Sequence, residues 1–376
     1  MAPGLSEVVR VFGRLGTTAF GGPAAHVAFM RDEVVHRRRW LSDADFLDLV
    51  AAVNLIPGPN STELALHLGF RRAGWPGFLG AGLAFVLPAF ALVLGLAMLY
   101  VRYGTRPEVS WLLYGLHPVV VAVVADAAVQ LGRSTLRRPR SAAAALLAGA
   151  LALAGMHELL LLALCALAFV APTLRGAART GVAVLGAIAS ATTPLAAAAA
   201  AGPPVTLARL WWFFLEVGSV LFGSGYVLVA FLRADLVERW AWLSDRQLLD
   251  AVAVGQVTPG PLFTTATFVG YVLAGFPGAV VSTVAIFLPA FGLVAATHHL
   301  VPRLRASRTW SAALDGLCAA SLGLMAAVAI ELARQSLVDG PTLAVGAGAW
   351  LVLLVWRPNA LWLLLAGALV GALAGR

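Results

Sequence analysis

The amino-acid sequence predicts an all-α polytopic membrane protein that contains two homologous modules. Its 376 residues are 60% hydrophobic and only 12% charged, and its mean hydropathy is +0.88. Soluble domains are roughly half apolar and a quarter charged. Charge-free apolar runs, such as residues 81–100 and 181–201, have the length and composition of membrane-spanning helices. An internal duplication sets the number of modules at two.

The basic residues are placed as membrane topology requires rather than as nucleic-acid binding requires. All 26 are arginine, and the formal net charge is +8. They cluster in short loops between apolar runs, as in "GRSTLRRPR" at residues 132–140, which is typical of cytoplasmic loops. We therefore expect the lipid bilayer as a partner and no nucleic acid. Arg10, Arg14 and Gly21-Gly22 interrupt the first apolar segment, so no cleavable signal peptide is expected.

Two stretches of the chain are near copies of each other. Residues 20–59 and 222–261 are related by a constant offset of 202 and share 19 of 40 positions. After one deletion the offset is 201, and "LPAF" at residues 87–90 matches "LPAF" at 288–291. Internal repeats of this kind are frequent in secondary transporters. The duplication predicts an N-terminal module at residues 1–179, a linker span at 180–202 and a C-terminal module at 203–376.

Each module is expected to contain six membrane spans. In the first copy they fall at residues 8–30, 46–70, 75–100, 108–131, 142–155 and 159–171. Six spans and the linker span make an odd number of crossings, so the second copy is expected to run upside down, as an inverted repeat. The arginine-rich loops then fall inside and the poorer ones outside. If residues 46–70 only dip in and return, parity fails and the copies become parallel.

The second predicted span of each module is broken by the motif Pro-Gly-Pro. Proline removes a backbone hydrogen bond and clashes with the preceding turn, so a helix stops there. Within a membrane, such a break is tolerated where it is buried in protein or lines a watery cavity. The next half-helix presents a partly positive N-terminus, which suits a small oxyanion. A packing kink or a re-entrant turn without a ligand is the alternative. The residues expected to shape or line this substrate site are Asn54, Pro57, Gly58, Pro59, Asn60 and Ser61 in the first copy and Gln256, Pro259, Gly260, Pro261, Thr264 and Thr265 in the second.

A second pair of breaks contains glycine. "FGG" at residues 20–22 corresponds to "FGSG" at 222–225, and glycine there permits positive φ and close approach of the backbone. Contact between helices through small residues is an equally good explanation. The residues expected to complete the cavity are Gly21, Gly22, Gly223, Ser224 and Gly225.

Three carboxylates lie in or near apolar helices. Asp48 and its counterpart Asp250 stand two turns before the breaks, and Glu63 stands just after the first break. Carboxylates inside a membrane are costly, so these three are candidates for proton coupling. Arg31 and Arg233 are candidates for charge support. A structural pairing of the aspartates with these arginines is the alternative.

No motif indicates catalysis or a bound cofactor. The seven histidines show no ligand spacing, and Cys165 and Cys318 stand alone in apolar stretches. The sequence contains no zinc-protease motif, nucleophile elbow or Walker loop. We therefore expect a protein that is not an enzyme, with no metal and no cofactor. "WLSD" at residues 40–43 and 242–245 is interpreted as an interfacial tryptophan followed by a serine helix cap.

The motif order "FGG…WLSD…PGP…GWPG…LPAF", repeated as "FGSG…WLSD…TPGP…GFPG…LPAF", resembles the chromate ion transporter family in its long-chain, two-domain form. The resemblance covers nearly the whole chain, and the matching positions include Arg31 and Trp40 with the paired breaks. It implies a multi-pass carrier in the bacterial inner (plasma) membrane that expels chromate, with proton-motive coupling. The sequence departs from the family pattern at two places. Residues 223–225 are Gly-Ser-Gly, and Asn54 stands where the family usually has glutamine, as this chain has at Gln256. The change at Asn54 bears on substrate preference.

The expected function is therefore secondary transport of a tetrahedral oxyanion, with chromate efflux coupled to protons. Sulfate shares the charge and shape of chromate, so import of sulfate or another oxyanion on the same fold is the first rival. A non-oxyanion secondary carrier is the second rival, and a membrane enzyme or scaffold is the third. The sequence does not determine the direction of transport, its stoichiometry, or whether two copies pair as a homodimer.

Overall fold

The computed structural model describes residues 3–104, 106–173, 202–222, 225–297, 307–356 and 358–374. Throughout these ranges the regular structure is helical. Four helical segments are long and apolar enough to cross a membrane, and the protein is a multi-pass membrane protein. The predicted linker span 181–201 lies outside the described residues, as do Gly223 and Ser224.

Among the described residues, each module contributes seven α-helices. Those of the first module are α1 (Pro3–Thr18), α2 (Gly22–Arg31), α3 (Asp43–Val53), α4 (Asn60–Tyr103), α5 (Pro107–Thr135), α6 (Pro139–Leu153) and α7 (Glu158–Val170). Those of the second are α8 (Leu207–Val220), α9 (Leu228–Phe231), α10 (Asp245–Val257), α11 (Thr265–Thr297), α12 (Arg308–Ser336), α13 (Gly340–Val355) and α14 (Ala360–Ala374). Short π- or 3₁₀-helical turns extend four of them: Asp32–Arg37 after α2, Gly225–Val227 and Leu232–Arg239 around α9, Leu262–Thr264 before α11 and Ala171–Thr173 after α7.

The first predicted span, residues 8–30, is a helical hairpin rather than one helix. Helix α1 ends at Thr18 and α2 runs back beside it, so that Glu7 near the start of α1 accepts a hydrogen bond from Arg38, beyond the end of α2, at 2.8 Å. A continuous helix would separate these residues by about 46 Å. The two halves therefore enter and leave on the same side.

The second predicted span, residues 46–70, folds back in the same way. Asp45 at the start of α3 pairs with Arg71, at the end of the returning limb of α4, at 3.7 Å. The chain reverses at the Pro-Gly-Pro motif, so the expectation that this segment crosses the membrane is wrong. The re-entrant alternative describes the observed geometry.

Helix α4 contains a second reversal. Ala73 and Gly74 leave helical geometry, with φ of +61° at Gly74, and the chain then returns along itself. A Cβ on Gly69 would overlap the carbonyl of Gly77, which shows how closely the two limbs pack. Ala274 and Gly275 repeat this geometry in α11. Only the second limb of α4, residues 75–103, is long enough to cross, at about 43 Å.

The hairpins reach half-way along this long limb. Gly4 on α1 lies against the carbonyl of Arg72, and Gly16 on the same helix lies against the carbonyl of Phe85. Helix α1 therefore runs beside only the first half of residues 75–103. Its tip lies close to the "LPAF" motif, near the middle of the limb.

The modules are interleaved. Helices α6 and α7 of the first pack on α12 of the second, while α13 and α14 of the second pack on α5 of the first. Small residues make the close approach possible: Gly149 lies against Gly323, and Gly115 lies against the backbone of Gly367. Each module thus completes the other.

Serine caps begin the helices that lead to the breaks. The Ser42 hydroxyl accepts from the Asp45 N–H at 3.1 Å, and the Ser244 hydroxyl accepts from the Gln247 N–H at 3.2 Å. The predicted role of "WLSD" as a cap is confirmed. These caps fix where α3 and α10 start, and therefore how far they carry the Pro-Gly-Pro motifs into the protein.

Candidate anion site at the junction of the chain breaks

Breaks from the two modules meet at the centre of the molecule. The Gly58 N–H donates to the Leu221 carbonyl at 2.8 Å, and the Gly260 N–H donates to the Ala19 carbonyl at 3.1 Å. Each bond joins the Pro-Gly-Pro break of one module to the glycine-containing break of the other. The predicted cavity-forming motifs are therefore brought together, although they are distant in sequence.

Glycine is required at this junction for two separate reasons. Gly58 has φ of +139° and Gly260 has φ of +95°, which side-chain-bearing residues rarely adopt. A Cβ on Gly260 would lie 2.7 Å from the Cβ of Ala89, in the "LPAF" motif of the opposite module. Ala290, the counterpart of Ala89, lies against Gly58. Gly21 and Gly22 also have positive φ, at +108° and +77°.

Glu63 is fully buried beside the first break. Its Oε1 lies against Gly58, close enough to overlap any Cβ at that position. Neither carboxylate oxygen has a hydrogen-bond partner among the described residues. The carboxyl group stands in the first turn of α4, where the helix N-terminus attracts negative charge.

Helix α4 begins directly after the first Pro-Gly-Pro motif. Pro59 occupies the N-cap position, and no side chain caps the helix there. Asn60 instead donates from Nδ2 to Asn54 Oδ1 at 2.6 Å, which ties the two sides of the break together. Asn54 also borders a cavity of about 300 Å³ that is lined in addition by Ser134, Thr135, Ser141, Asp315 and Cys318.

Ser61 is held by a histidine that sequence reasoning missed. His26 Nε2 lies 3.0 Å from the Ala19 carbonyl, so that nitrogen carries the proton, and Nδ1 accepts from the Ser61 hydroxyl at 3.0 Å. His26 therefore links the two breaks of the first module. The available signal was its counterpart in the second copy, Leu228, since a polar residue replaces an apolar one there.

The second break holds its hydroxyls differently. Thr264 donates to the Pro261 carbonyl and Thr265 to the Leu262 carbonyl, both at 2.8 Å. An anion would have to draw these protons away from the backbone, so their role as donors stays a prediction. Gln256 accepts from the Tyr226 hydroxyl at 3.3 Å, and its Nε2 has no partner among the described residues.

A larger cavity borders the "FGG" break. Its volume is about 570 Å³, and Phe20, Gly21, Asp126, Gln130, Tyr226 and Asn359 are among the residues that line it. A Cβ on Gly22 would lie 3.3 Å from the Tyr226 hydroxyl, so this break also approaches the second module. Gly225 begins the 3₁₀ turn that carries Tyr226. Sequence reasoning did not identify Tyr226.

The two candidate aspartates have different surroundings. Asp250 is fully buried and accepts hydrogen bonds from the Tyr100 hydroxyl and His117 Nε2, both at 2.7 Å. Asp48 is exposed on α3. The alternative that Asp250 pairs with Arg233 is wrong, because Arg233 pairs with other acids.

The two arginines hold the outer ends of the hairpins. Arg31 donates twice to Asp43, at 2.7 and 2.6 Å, and these hydrogen bonds lower the pKa of Asp43. Arg233 pairs with Asp245 at 3.2 Å, with Glu331 at 3.6 Å and with Glu238. Both arginines therefore pair with acids at the ends of the hairpins rather than at their tips.

The comparisons with known proteins agree with the internal duplication of the chain. The chromate transporter family model matches residues 6–170 and again residues 208–372. The chain is 33% identical to the chromate transport protein of Cupriavidus metallidurans, over 98% of this chain and 93% of that protein. It is 32% identical to the chromate transport protein of Pseudomonas aeruginosa, over 96% and 90%. It is also 32% identical to the probable chromate transport protein of Synechococcus elongatus, over 91% and 88%. No solved structure matches the chain. The double match and the nearly full-length similarity show that this chain belongs to the chromate transporter family.

Proposed function

We propose that the protein is a secondary transporter that expels chromate across the bacterial inner membrane in a proton-coupled cycle. Relatives with similarity over nearly the full length carry the name chromate transport protein. The observation that carries the proposal is the carboxyl group of Glu63 at the junction of the breaks, which is buried and has no hydrogen-bond partner among the described residues. It stands where a helix N-terminus also favours an anion.

A dianion and an ionised Glu63 would compete for the same positive helix end. Two like unit charges about 4 Å apart repel by about 4 kcal/mol at an effective dielectric constant of 20, and a dianion doubles the repulsion. Glu63 must therefore be neutral while the anion occupies the junction. Anion binding then requires proton uptake at this residue, which is the physical basis of the proposed coupling.

This coupling favours export over import. A dianion accompanied by one proton carries a net charge of −1, and each unit charge gains about 2.3 kcal/mol per 100 mV of membrane potential. The inside-negative potential of a bacterial cell drives such a species outward. Import of sulfate would need two protons for each anion merely to cancel the opposing potential, and three for the potential to drive it, so the sulfate importer is the weaker candidate.

The remaining site residues receive roles in the same proposal. The glycines and prolines of the breaks let the backbone approach the anion, and Asn54, Asn60, Ser61, Gln256, Thr264 and Thr265 supply donors. Asp250 is the second candidate for a proton, because its carboxylate is buried between Tyr100 and His117. Exposed Asp48 is a weaker candidate.

An inverted relation of the two modules is part of the proposal. The reciprocal bonds of Gly58 and Gly260 support a two-fold relation, and the Phe78 and Phe291 rings support its direction, at 5.8 Å between centroids. In parallel copies Phe78 would be level with Ala279, about 18 Å along the helix from Phe291. In each module, two of the six predicted spans fold back, which leaves four that cross. If residues 181–201 also cross, five crossings separate the start of one module from the start of the other. This number is odd, as an inverted repeat requires.

Flux in proteoliposomes tests the function. Vesicles that contain the purified protein and chromate are given either an electrical potential or a pH gradient, and sulfate is measured in parallel. We expect an inside-negative potential to drive chromate out, with less sulfate flux than chromate flux. Absence of chromate flux under both gradients would reject the proposal, and faster sulfate flux would favour the rival.

Labelling tests the inversion. Ser42→Cys and Ser244→Cys place thiols at equivalent exposed helix caps in the two modules. A membrane-impermeant maleimide should modify them from opposite faces of sealed vesicles. Labelling of both from one face would contradict the inverted repeat while leaving the flux result untouched.

A further inference from the structure

Two cavities occupy equivalent positions in the two modules but differ in size. Val123, Asp126 and Gln130 line the cavity of about 570 Å³ beside "FGG". Their counterparts, 201 positions later, are Leu324, Ala327 and Glu331, which line a cavity of about 90 Å³. The same structural location is therefore open in one module and nearly filled in the other.

Charge closes the smaller cavity. Arg233 lines it and pairs with Glu331 on α12 at 3.6 Å, and with Glu238 on its own hairpin. In the open cavity the positions of Glu331 and Glu238 are occupied by Gln130 and His36. An equivalent ion pair cannot form there, so the difference in volume follows from the sequence of the two copies.

The neighbouring polar cavity shows the same contrast. The open one, of about 300 Å³, is lined by Asn54, Thr135, Asp315 and Cys318. The counterparts of Cys318 and Asp315 are His117 and Tyr114, and both are hydrogen-bonded to residues distant in the sequence. His117 bonds Asp250 at 2.7 Å, and Tyr114 donates to Asp339 at 2.5 Å.

The counterparts of Asn54 and Thr135 are buried polar residues with unused hydrogen-bonding groups. Gln256 and Ser336 are 7% and 5% exposed. Gln256 Nε2 and Ser336 Oγ have no hydrogen-bond partner among the described residues. A buried polar group without a partner costs about 1–3 kcal/mol. Both groups are donors, as an oxyanion requires, and both correspond to residues that line an open cavity.

We propose that Gln256, Ser336 and their surroundings form a second anion vestibule that is closed in this structure. It is the equivalent of the open vestibule formed by the 570 and 300 Å³ cavities, and it opens toward the opposite face of the membrane. The contacts that close it are those of Asp250 with Tyr100 and His117, and that of Arg233 with Glu331. This inference rests on the proposed function, since it assigns the two vestibules to the same transported oxyanion.

The chain offers a matched pair of positions for the test. In a Cys165→Ala, Cys318→Ala background, Thr135→Cys reports on the open vestibule and Ser336→Cys on the closed one. Sealed vesicles of known orientation are treated with a membrane-impermeant maleimide. We expect the thiol at position 135 to react from one face, and the thiol at position 336 to react at least ten times more slowly.

Weakening the contacts that close the second vestibule should make the thiol at position 336 reactive. Tyr100→Phe removes one hydrogen bond with little change of shape, and Asp250→Asn alters both. In either variant we expect labelling at position 336 to accelerate at least tenfold, from the face opposite to that of position 135. Asp48→Asn, the equivalent change in the open module, is the control and should leave position 336 unreactive.

The outcomes test separately whether the second vestibule exists and whether it binds an oxyanion. A thiol at position 336 that stays unreactive in both variants, or that reacts from the same face as position 135, overturns the proposal. Millimolar chromate should slow labelling at position 336 in the opened variants; lack of any protection would overturn the assignment to an oxyanion. The labelling itself needs no transport, so a failure of chromate flux in the wild-type protein would be recognised independently.

Discussion

The two Pro-Gly-Pro breaks have the same backbone but different side chains. Gly58 and Gly260 both have positive φ, and each donates its N–H to a carbonyl of the other module. Proline and glycine determine this geometry locally, so it survives duplication as long as the motif does. The shared feature of the breaks is therefore a buried glycine with positive φ whose N–H bonds to the opposite module.

The side chains around the breaks have diverged. His26, Ser61 and Glu63 surround the first break, and their counterparts are Leu228, Phe263 and Thr265. The first break therefore contains a carboxylic acid and an imidazole, whereas the second contains one hydroxyl in the same three positions. The difference suggests that the first break titrates while the second supplies shape and neutral donors.

The largest effect is expected from side chains at the two shared glycines. Leucine at position 58 would overlap Glu63 and Ala290, and leucine at position 260 would overlap Ala89, both at positive φ. Gly58→Leu and Gly260→Leu should each abolish chromate binding, measured by calorimetry on the purified protein. Gly292→Leu, at a position with open space around it, is the control.

Membrane insertion and elution as a single species would show that the glycine variants are folded. If both then bind chromate like the wild type, the anion site lies elsewhere and the breaks are only kinks. If only one loses binding, the two breaks do not act as a pair.

The next largest effect is expected from Glu63, the carboxylic acid that is present only at the first break. Glu63→Gln keeps the shape of the side chain but removes the titrating proton. We expect chromate binding to persist and to lose its dependence on pH, because neutralisation of residue 63 no longer accompanies binding. Electrogenic flux should then move two charges per chromate instead of one, measured as current against isotope flux.

Thr265→Val is the matched control at the equivalent position and should leave the charge ratio unchanged. A Glu63→Gln protein whose pH dependence and charge ratio equal those of the wild type would remove Glu63 from the coupling. Asp250 would then be the remaining buried candidate.

Much of this geometry was predictable, and the failures have a common cause. The breaks and the Ser42 and Ser244 caps follow from residues close together in the chain, so the sequence alone predicts them. The apolar content of residues 46–70 is the same whether the chain crosses or returns. The contact of Asp45 with Arg71 and the reversal of the chain at the Pro-Gly-Pro motif show that it returns.

The missed residues all have partners far away in the sequence. His26 bonds Ser61 across 35 residues, His117 bonds Asp250 across 133, and Tyr100 bonds Asp250 across 150. No local pattern encodes such pairs. Divergence between the two copies was the available signal, since His26 and His117 correspond to Leu228 and Cys318.

A moderate effect on stability should distinguish the two aspartates. Asp250→Ala leaves the partly buried Tyr100 hydroxyl and His117 ring without their acceptor, which costs about 1–3 kcal/mol. Asp48→Ala changes an exposed residue, for which about 0.5 kcal/mol or less is usual. The melting temperature of the protein in detergent should therefore fall clearly for Asp250→Ala and little for Asp48→Ala. Equal shifts would indicate that the hydrogen bonds of Asp250 do not stabilise the fold.

The smallest effects should come from single hydroxyls, and their order tests the difference between the breaks. Ser61 donates to His26, while Thr265 donates to the Leu262 carbonyl within its own turn. Removal of one hydrogen bond costs about 1 kcal/mol, or about five-fold in affinity. Ser61→Ala should weaken chromate binding by that amount and should also shift its pH dependence, because the His26 imidazole loses its Ser61 partner. Thr265→Val should weaken binding by no more than the same factor and leave the pH dependence unchanged. Isothermal titrations at several pH values would measure both effects, and a shift caused by Thr265→Val but not by Ser61→Ala would place the titrating chemistry at the second break instead of the first.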